Sequence, residues 1–200
     1  IKLLHELAHG LTARHFGAPV PEWGITLLMF MPVPYVEASA ASALPQRHQR
    51  LTVAAAGIVV ELGLAAAALG VVLAVQAGAL RDAALVVFFI GALSTLLVNA
   101  NPLMRFDGYH MLCDALALPN LGPRSSRHWL QQMRRVVLRV QREPALPIAP
   151  GETRWLWGYA PAALVARWVI ALSVWQWLAS VSFVLGTLTA AQVDMSASGS

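Results

Sequence analysis

From Leu51 to Gln76 the chain carries a single ionisable side chain, Glu61, among residues that are otherwise apolar, small or uncharged. A run of that length covers the roughly 20 residues a helix needs to cross a bilayer. Gly63, Ala67 and Gly70 recur along it at spacings that let neighbouring helices approach closely. The composition agrees, because 58% of the residues are hydrophobic and 12% charged, against roughly 25% charged in an ordinary soluble domain. We therefore read an all-α polytopic membrane protein. Disorder is excluded by the abundance of Leu, Ile, Val and Ala. A single cysteine, Cys113, excludes a disulfide framework and any multi-cysteine zinc knuckle, so a bound metal must be held by His and carboxylates.

The remaining elements follow from the breaks. Leu3 to Phe16 reads as a helix ended by Gly17 and the Pro19/Pro21 pair. Gly24 to Val36 is apolar but too short to span and is interrupted by Pro32 and Pro34, which predicts a re-entrant hairpin or strand pair beside the active groove. A second span runs from Ala83 to Val98 and breaks at Asn99-Ala-Asn-Pro102, and a further helix starts near Asp107 and ends before Pro119. Pro119 to Arg154 holds seven arginines against Glu143 and Glu152. Trp155, Trp157 and Tyr159 then form an interfacial belt ahead of a last span, Trp168 to Ala190.

These boundaries give a membrane core at 1–118, an arginine-rich loop at 119–154, and a belt with a further span at 155–200. The net charge of +4 could suggest nucleic acid, but its source is this loop, which marks topology and anionic lipid as the partner. Arg47, Arg50 and the loop fall on the cytoplasmic side, with Arg81 outside. The chain opens on Ile1 and reaches a dense polar motif by His5, so we expect it to be part of a longer protein.

That motif is His5-Glu6-Leu7-Ala8-His9. At 100° per residue the two histidines lie about 40° apart on one helix face, where both can reach one zinc ion, with Glu6 beside them as a general base on a metal-activated water. A helix with two exposed histidines is the plain alternative, but His and Glu within an apolar setting are costly without partners. Four residues compete to be the third ligand. His15 falls about 240° round the helix from His9, because Thr12 stands where a turning glycine would be needed. Glu37 follows a proline-broken hairpin, and His110 lies one turn beyond Asp107. Asp107 is the strongest candidate, since a helix broken within the membrane and followed by Asp-Gly puts a carboxylate and free backbone groups at depth. Its plain alternative is an Asp that caps the next helix.

The two segments together resemble the site-2 protease class of intramembrane zinc metalloproteases, in which a His-Glu-x-x-His helix is completed by a later Asn-x-x-Pro-x-Pro-x-Leu-Asp-Gly segment. Asn99, Pro102, Asp107 and Gly108 match at that spacing, while Met104 and Phe106 replace its second Pro and its Leu. The forms Pro34-Tyr-Val-Glu-Ala-Ser39, Asn101-Pro-Leu-Met-Arg-Phe-Asp-Gly-Tyr109 and Leu118-Pro-Asn-Leu121 look more specifically like its bacterial peptide zinc metalloprotease branch. The resemblance implies a site-2 protease-like helical core in a bacterial inner membrane. It further implies zinc (Zn2+) on His5, His9 and Asp107, and Glu6 as catalytic acid/base. Asn99, with Asn101, would hold or polarise the substrate carbonyl. A peptide or membrane-protein substrate is implied, and export-system subunits are candidate partners. Export-linked relatives also raise a second reading, a membrane subunit that guides a peptide without cutting it. Gly57-Ile-Val-Val-Glu61 keeps the Gly of the family's Gly-Pro-x-x-Asn but has Glu in place of its Asn. Glu61 is then either a partner of a ligand histidine or a protonated inter-helix group, and Arg105 is either its counter-ion or an interfacial anchor. Tyr109 and Cys113 read as packing residues.

Overall fold

The computed structural model describes residues 1–28, 30–137 and 151–198, apart from the side chains at 28 and 183–198. Among these the chain forms six α-helices and one two-stranded sheet: α1 (Lys2–His15), β1 (Trp23–Leu28), β2 (Met31–Val36), α2 (Arg47–Ala74), α3 (Ala79–Leu93), α4 (Asp107–Leu116), α5 (Leu121–Val137) and α6 (Thr153–Ser198). Three segments are long and apolar enough to cross a membrane: Arg47–Ala74, Ala79–Asn99 and Thr153–Ser182. The mostly helical architecture and these three helices agree with the reading from sequence.

Helix α2 is the centre of the fold and packs against α1, α3 and α4. Its buried stripe is Val53, Gly57, Glu61, Ala65, Ala68 and Val72, a repeat of three or four residues that keeps one face inward. The expected packing positions were different. Gly63 and Gly70 face open space and Ala67 is exposed, because small residues cover all of α2 and cannot by themselves select a face. Gly91 of α3 rests on Ala65 and the Glu61 carbonyl, which fixes how closely α2 and α3 approach.

Helix α3 does not stop cleanly. It continues through a π-helical turn, Ser94–Asn99, in which Ala100 N donates to Thr95 O at 2.7 Å. Widened turns of this kind re-aim side chains and are frequent at functional sites, and here Thr95 and Asn99 both become buried against α2. The chain then turns at Asn101-Pro102, where Asn101 Oδ1 accepts from Leu103 N at 3.0 Å, and enters α4 at Asp107. Gly108 is required there, because a Cβ would overlap the Ala100 carbonyl.

The Gly24 to Val36 segment is a strand pair, antiparallel with Trp23 opposite Val36 and Leu28 opposite Met31. Strand β2 lies beside α1, and Gly10 leaves room for the Val36 side chain. The segment after Pro119, expected to be a loop, contains α5. Its alternation of arginines with apolar residues is the pattern of an amphipathic helix, and the high charge obscured that periodicity. Residues 138–150 of that segment lie outside the described residues. Tyr109 and Cys113 pack with Leu121, Leu156 and Tyr159 in a core joining α4, α5 and α6, as expected of packing residues. Helix α6 starts at Thr153, so the aromatic belt lies within its first two turns instead of forming a lead-in.

Candidate metal centre

The helical spacing of His5 and His9 brings their rings together at a centroid distance of 4.7 Å, with Nε2 to Nε2 at 3.1 Å. Asp107, in the first turn of α4, places Oδ2 3.1 Å from His5 Nε2 and 3.3 Å from His9 Nε2. Among the described residues this is the one group of three potential ligands found. His15, Glu37 and His110 are not part of it. Glu37 instead accepts from Ser39 Oγ at 3.1 Å, and His15 stacks edge-on with Phe16 at the end of α1.

The orientation of both imidazoles is set from behind. His9 Nδ1 lies 2.7 Å from the Val53 carbonyl, which can only accept, so Nδ1 carries the proton and Nε2 presents a lone pair. His5 Nδ1 lies 3.3 Å from Glu61 Oε1, near but not well aligned for a hydrogen bond. This carboxylate assigns the same tautomer. Glu61 is itself fully buried and held by Thr95 Oγ1 at 2.5 Å, Asn99 Nδ2 at 2.6 Å and Lys2 Nζ at 2.7 Å. Its counter-ion is Lys2, and Arg105 is exposed. Gly57 makes the arrangement possible, since a Cβ there would come under 3.0 Å from atoms of both histidine rings.

Three lone pairs thus converge on one point, and Asp107 Oδ2 is buried without a hydrogen-bond partner. A tetrahedral ion with bonds of about 2.0–2.1 Å keeps its ligands about 3.3 Å apart, and the observed separations of 3.1 to 3.3 Å match that spacing. The residues therefore fit a small tetrahedral cation with two imidazoles and one carboxylate. Neither α1 nor α4 belongs to the three long apolar helices. Burial alone would raise the Asp107 carboxyl, yet the His5 and His9 rings beside it hold it far below the usual carboxylate range. His9 moves the other way: burial would lower it, and the Asp107 carboxylate beside it raises it above an ordinary histidine.

A cavity of about 510 Å³ opens over this cluster, walled by Glu6, Val36, Ser39, Arg50, Val53 and His110 among others. Glu6 is half-buried on that wall with its carboxylate in no ion pair among the described residues. A second cavity of about 580 Å³ continues from it, sharing Ser42, Arg50, His110 and Asp114. Arg50 ties α2 to α4 across this cleft, through Asp114 Oδ1 at 2.7 Å and the Leu44 carbonyl at 2.8 Å.

Asn99 and Asn101 are placed differently from expectation. Asn99 is buried behind His5 with its amide donated to Glu61, and Asn101 donates to Leu97 O at 3.2 Å while shaping its own turn. Neither lines the cavity. Lys2, Thr95 and the Val53 carbonyl were missed from sequence. The four-residue spacing of Thr95 and Asn99 at the end of an apolar helix was the available signal for Thr95. No family model matches the chain, and no curated protein or solved structure matches it.

Proposed function

We propose that the protein is a membrane-embedded zinc metalloprotease of the site-2 protease type, hydrolysing peptide bonds in a membrane-associated peptide or protein. The observation that carries this reading is Glu6 on the wall of the cavity directly above the His5, His9 and Asp107 donors. A site kept only to bind metal has no use for a carboxylate facing open space beside it. His5, His9 and Asp107 would hold the ion, which when bound would supply a Lewis acid for water and for the peptide carbonyl.

The chain's own residues do the rest. Glu6 takes a proton from the incoming water and returns it to the departing amine as the C–N bond breaks. Val53 O and Glu61 keep each imidazole in the tautomer that offers Nε2. With Asn99 committed to Glu61, and Arg50 to Asp114 and the Leu44 carbonyl, His110, Ser39 and Ser42 are hydrogen-bonding side chains on the wall that can face the substrate. The apolar β1–β2 hairpin, ending against the cavity at Val36, offers an extended edge beside which an unwound substrate can lie.

The test uses the purified chain, its metal content measured by atomic spectroscopy, against a library of synthetic single-span peptides in the same micelles. About one zinc per chain with cleavage, and retained zinc without cleavage in Glu6→Gln, is the expected result. Peptide cleavage by Glu6→Gln at the wild-type rate overturns the mechanism. Stoichiometric zinc with no turnover of any peptide favours a subunit that guides peptides without cutting them.

A further inference from the structure

We propose that His110 is a further catalytic residue, donating a ring N–H to the peptide carbonyl oxygen as that oxygen gains charge, a role that rests on the hydrolase reading above. His110 lies on the wall of the cavity over the metal centre but outside the ligand cluster. It follows Asp107 by one turn of α4, about 4.5 Å further along the axis, and residues at that spacing have Cβ atoms about 5–6 Å apart. An imidazole there reaches the space into which Asp107 Oδ2 and the two histidine Nε2 atoms converge. Its ring makes no hydrogen bond or ion pair among the described residues. It rests edge-on against Tyr109 with centroids 5.3 Å apart, and Tyr109 is buried with its hydroxyl accepting from Gly122 N at 3.0 Å. The ring is thus braced by a fixed neighbour, and its N–H is uncommitted.

The other polar side chains near the cluster are spent or more distant. Asn99 donates to Glu61 at 2.6 Å and does not line the cavity. Ser39 gives its single hydroxyl proton to Glu37, and Ser42 gives its own to the Ser39 carbonyl, so both can only accept from a substrate. Arg50 engages Asp114 through Nε and the Leu44 carbonyl through Nη1. Asp114 lies seven residues beyond Asp107, about 10 Å along α4, which sets that ion pair further down the cleft. His110 also lines the second cavity. A substrate strand running from one cavity into the other therefore passes its ring.

In the step itself the water oxygen bonds to the carbonyl carbon, Glu6 takes the water proton, and the carbonyl π pair moves onto its oxygen. The His110 N–H hydrogen-bonds that oxygen and transfers no proton. When the C–N bond breaks, the pair on oxygen re-forms the carbonyl and the amine nitrogen leaves with the proton from Glu6. A donor aimed at charge that develops only in the transition state raises kcat and leaves ground-state binding unchanged.

The test uses the purified full chain loaded with zinc and the single-span peptides in micelles. His110→Phe keeps a ring against Tyr109 and lacks the N–H, whereas His110→Gln retains an N–H at the end of its side chain. His110→Phe is expected to hold zinc and KM at wild-type levels while kcat falls about 100-fold, as on removal of one oxyanion donor. His110→Gln should recover part of that loss. A phosphinic peptide, whose tetrahedral P–O group imitates the charged oxygen, should bind His110→Phe about 100-fold more weakly by calorimetry. Wild-type kcat in His110→Phe overturns the role and leaves the hydrolase reading standing, as does a rate loss carried by KM alone or by lost zinc. Absence of cleavage by the wild-type chain removes the hydrolase reading and this role with it.

Discussion

Glu61 Oε1 lies 3.3 Å from His5 Nδ1, on the side of the imidazole opposite the converging ligand atoms. The same carboxylate accepts hydrogen bonds from three donors on α1 and the end of α3. One buried acid thus joins the helix that bears both histidines to the helix that precedes Asp107. Glu61→Gln preserves the volume and loses the charge that orients His5. Zinc affinity, read by competition with a chromophoric chelator, should fall about 10- to 100-fold. Glu61→Leu should in addition destabilise the fold by about 1–3 kcal/mol for each buried donor left unpaired at Thr95 and Asn99, read as a lowered melting temperature. Unchanged zinc affinity in Glu61→Gln would refute the positioning role.

The assignment of Asp107 as third ligand of the proposed zinc site is tested by Asp107→Ala and His110→Ala side by side. Asp107→Ala should lose stoichiometric zinc on dialysis, whereas His110→Ala should retain it, because His110 is outside the ligand cluster though on the cavity wall. Retention of zinc by Asp107→Ala with loss by His110→Ala would reverse the assignment.

Gly57 separates packing from ordinary helix propensity. Gly57→Ala inserts a methyl where both imidazoles lie, and loss of bound metal with the helices intact by circular dichroism is the expected outcome. Gly63→Ala and Gly70→Ala, at positions open on all sides, should be neutral in metal content and stabilise α2 by about 0.5–1 kcal/mol. Equal metal content in all three variants would remove the steric explanation.

Much of this centre was legible before the structure. His5 and His9 are four residues apart, and helical geometry alone places them on one face. Asp107 stood out because a carboxylate after a broken apolar helix needs a reason. Glu61 was visible as the lone acid of α2 but its role was not, since no spacing rule links it to His5 or Lys2. Asn99 was misjudged for a related cause: the π-helical turn rotates it towards Glu61, and a regular helical phase carried past Leu93 does not predict that rotation. Helix α5 was taken for a loop because four arginines dominate its composition, while its apolar residues are divided between a buried face and an open stripe.

The seat of α5 on α6 yields the last prediction. Pro161 has no N–H, so the Trp157 carbonyl lacks its helical donor, and Trp129 Nε1 donates to that carbonyl at 2.9 Å. One turn away, Ser125 Oγ donates to Leu156 O at 2.6 Å and accepts from Ala160 N at 2.9 Å, the pair that an unbroken helix would bond to each other. The irregularity in α6 is therefore the socket that receives α5. Trp129→Phe should cost about 1 kcal/mol in the wild-type background, the net worth of one hydrogen bond. In a Pro161→Ala background the restored N–H takes over the Trp157 carbonyl, and the same substitution should cost measurably less. A double-mutant cycle on thermal unfolding gives the coupling directly. Costs that are equal in both backgrounds would show that Trp129 holds α5 by ring packing on Trp157 alone, without the hydrogen bond contributing.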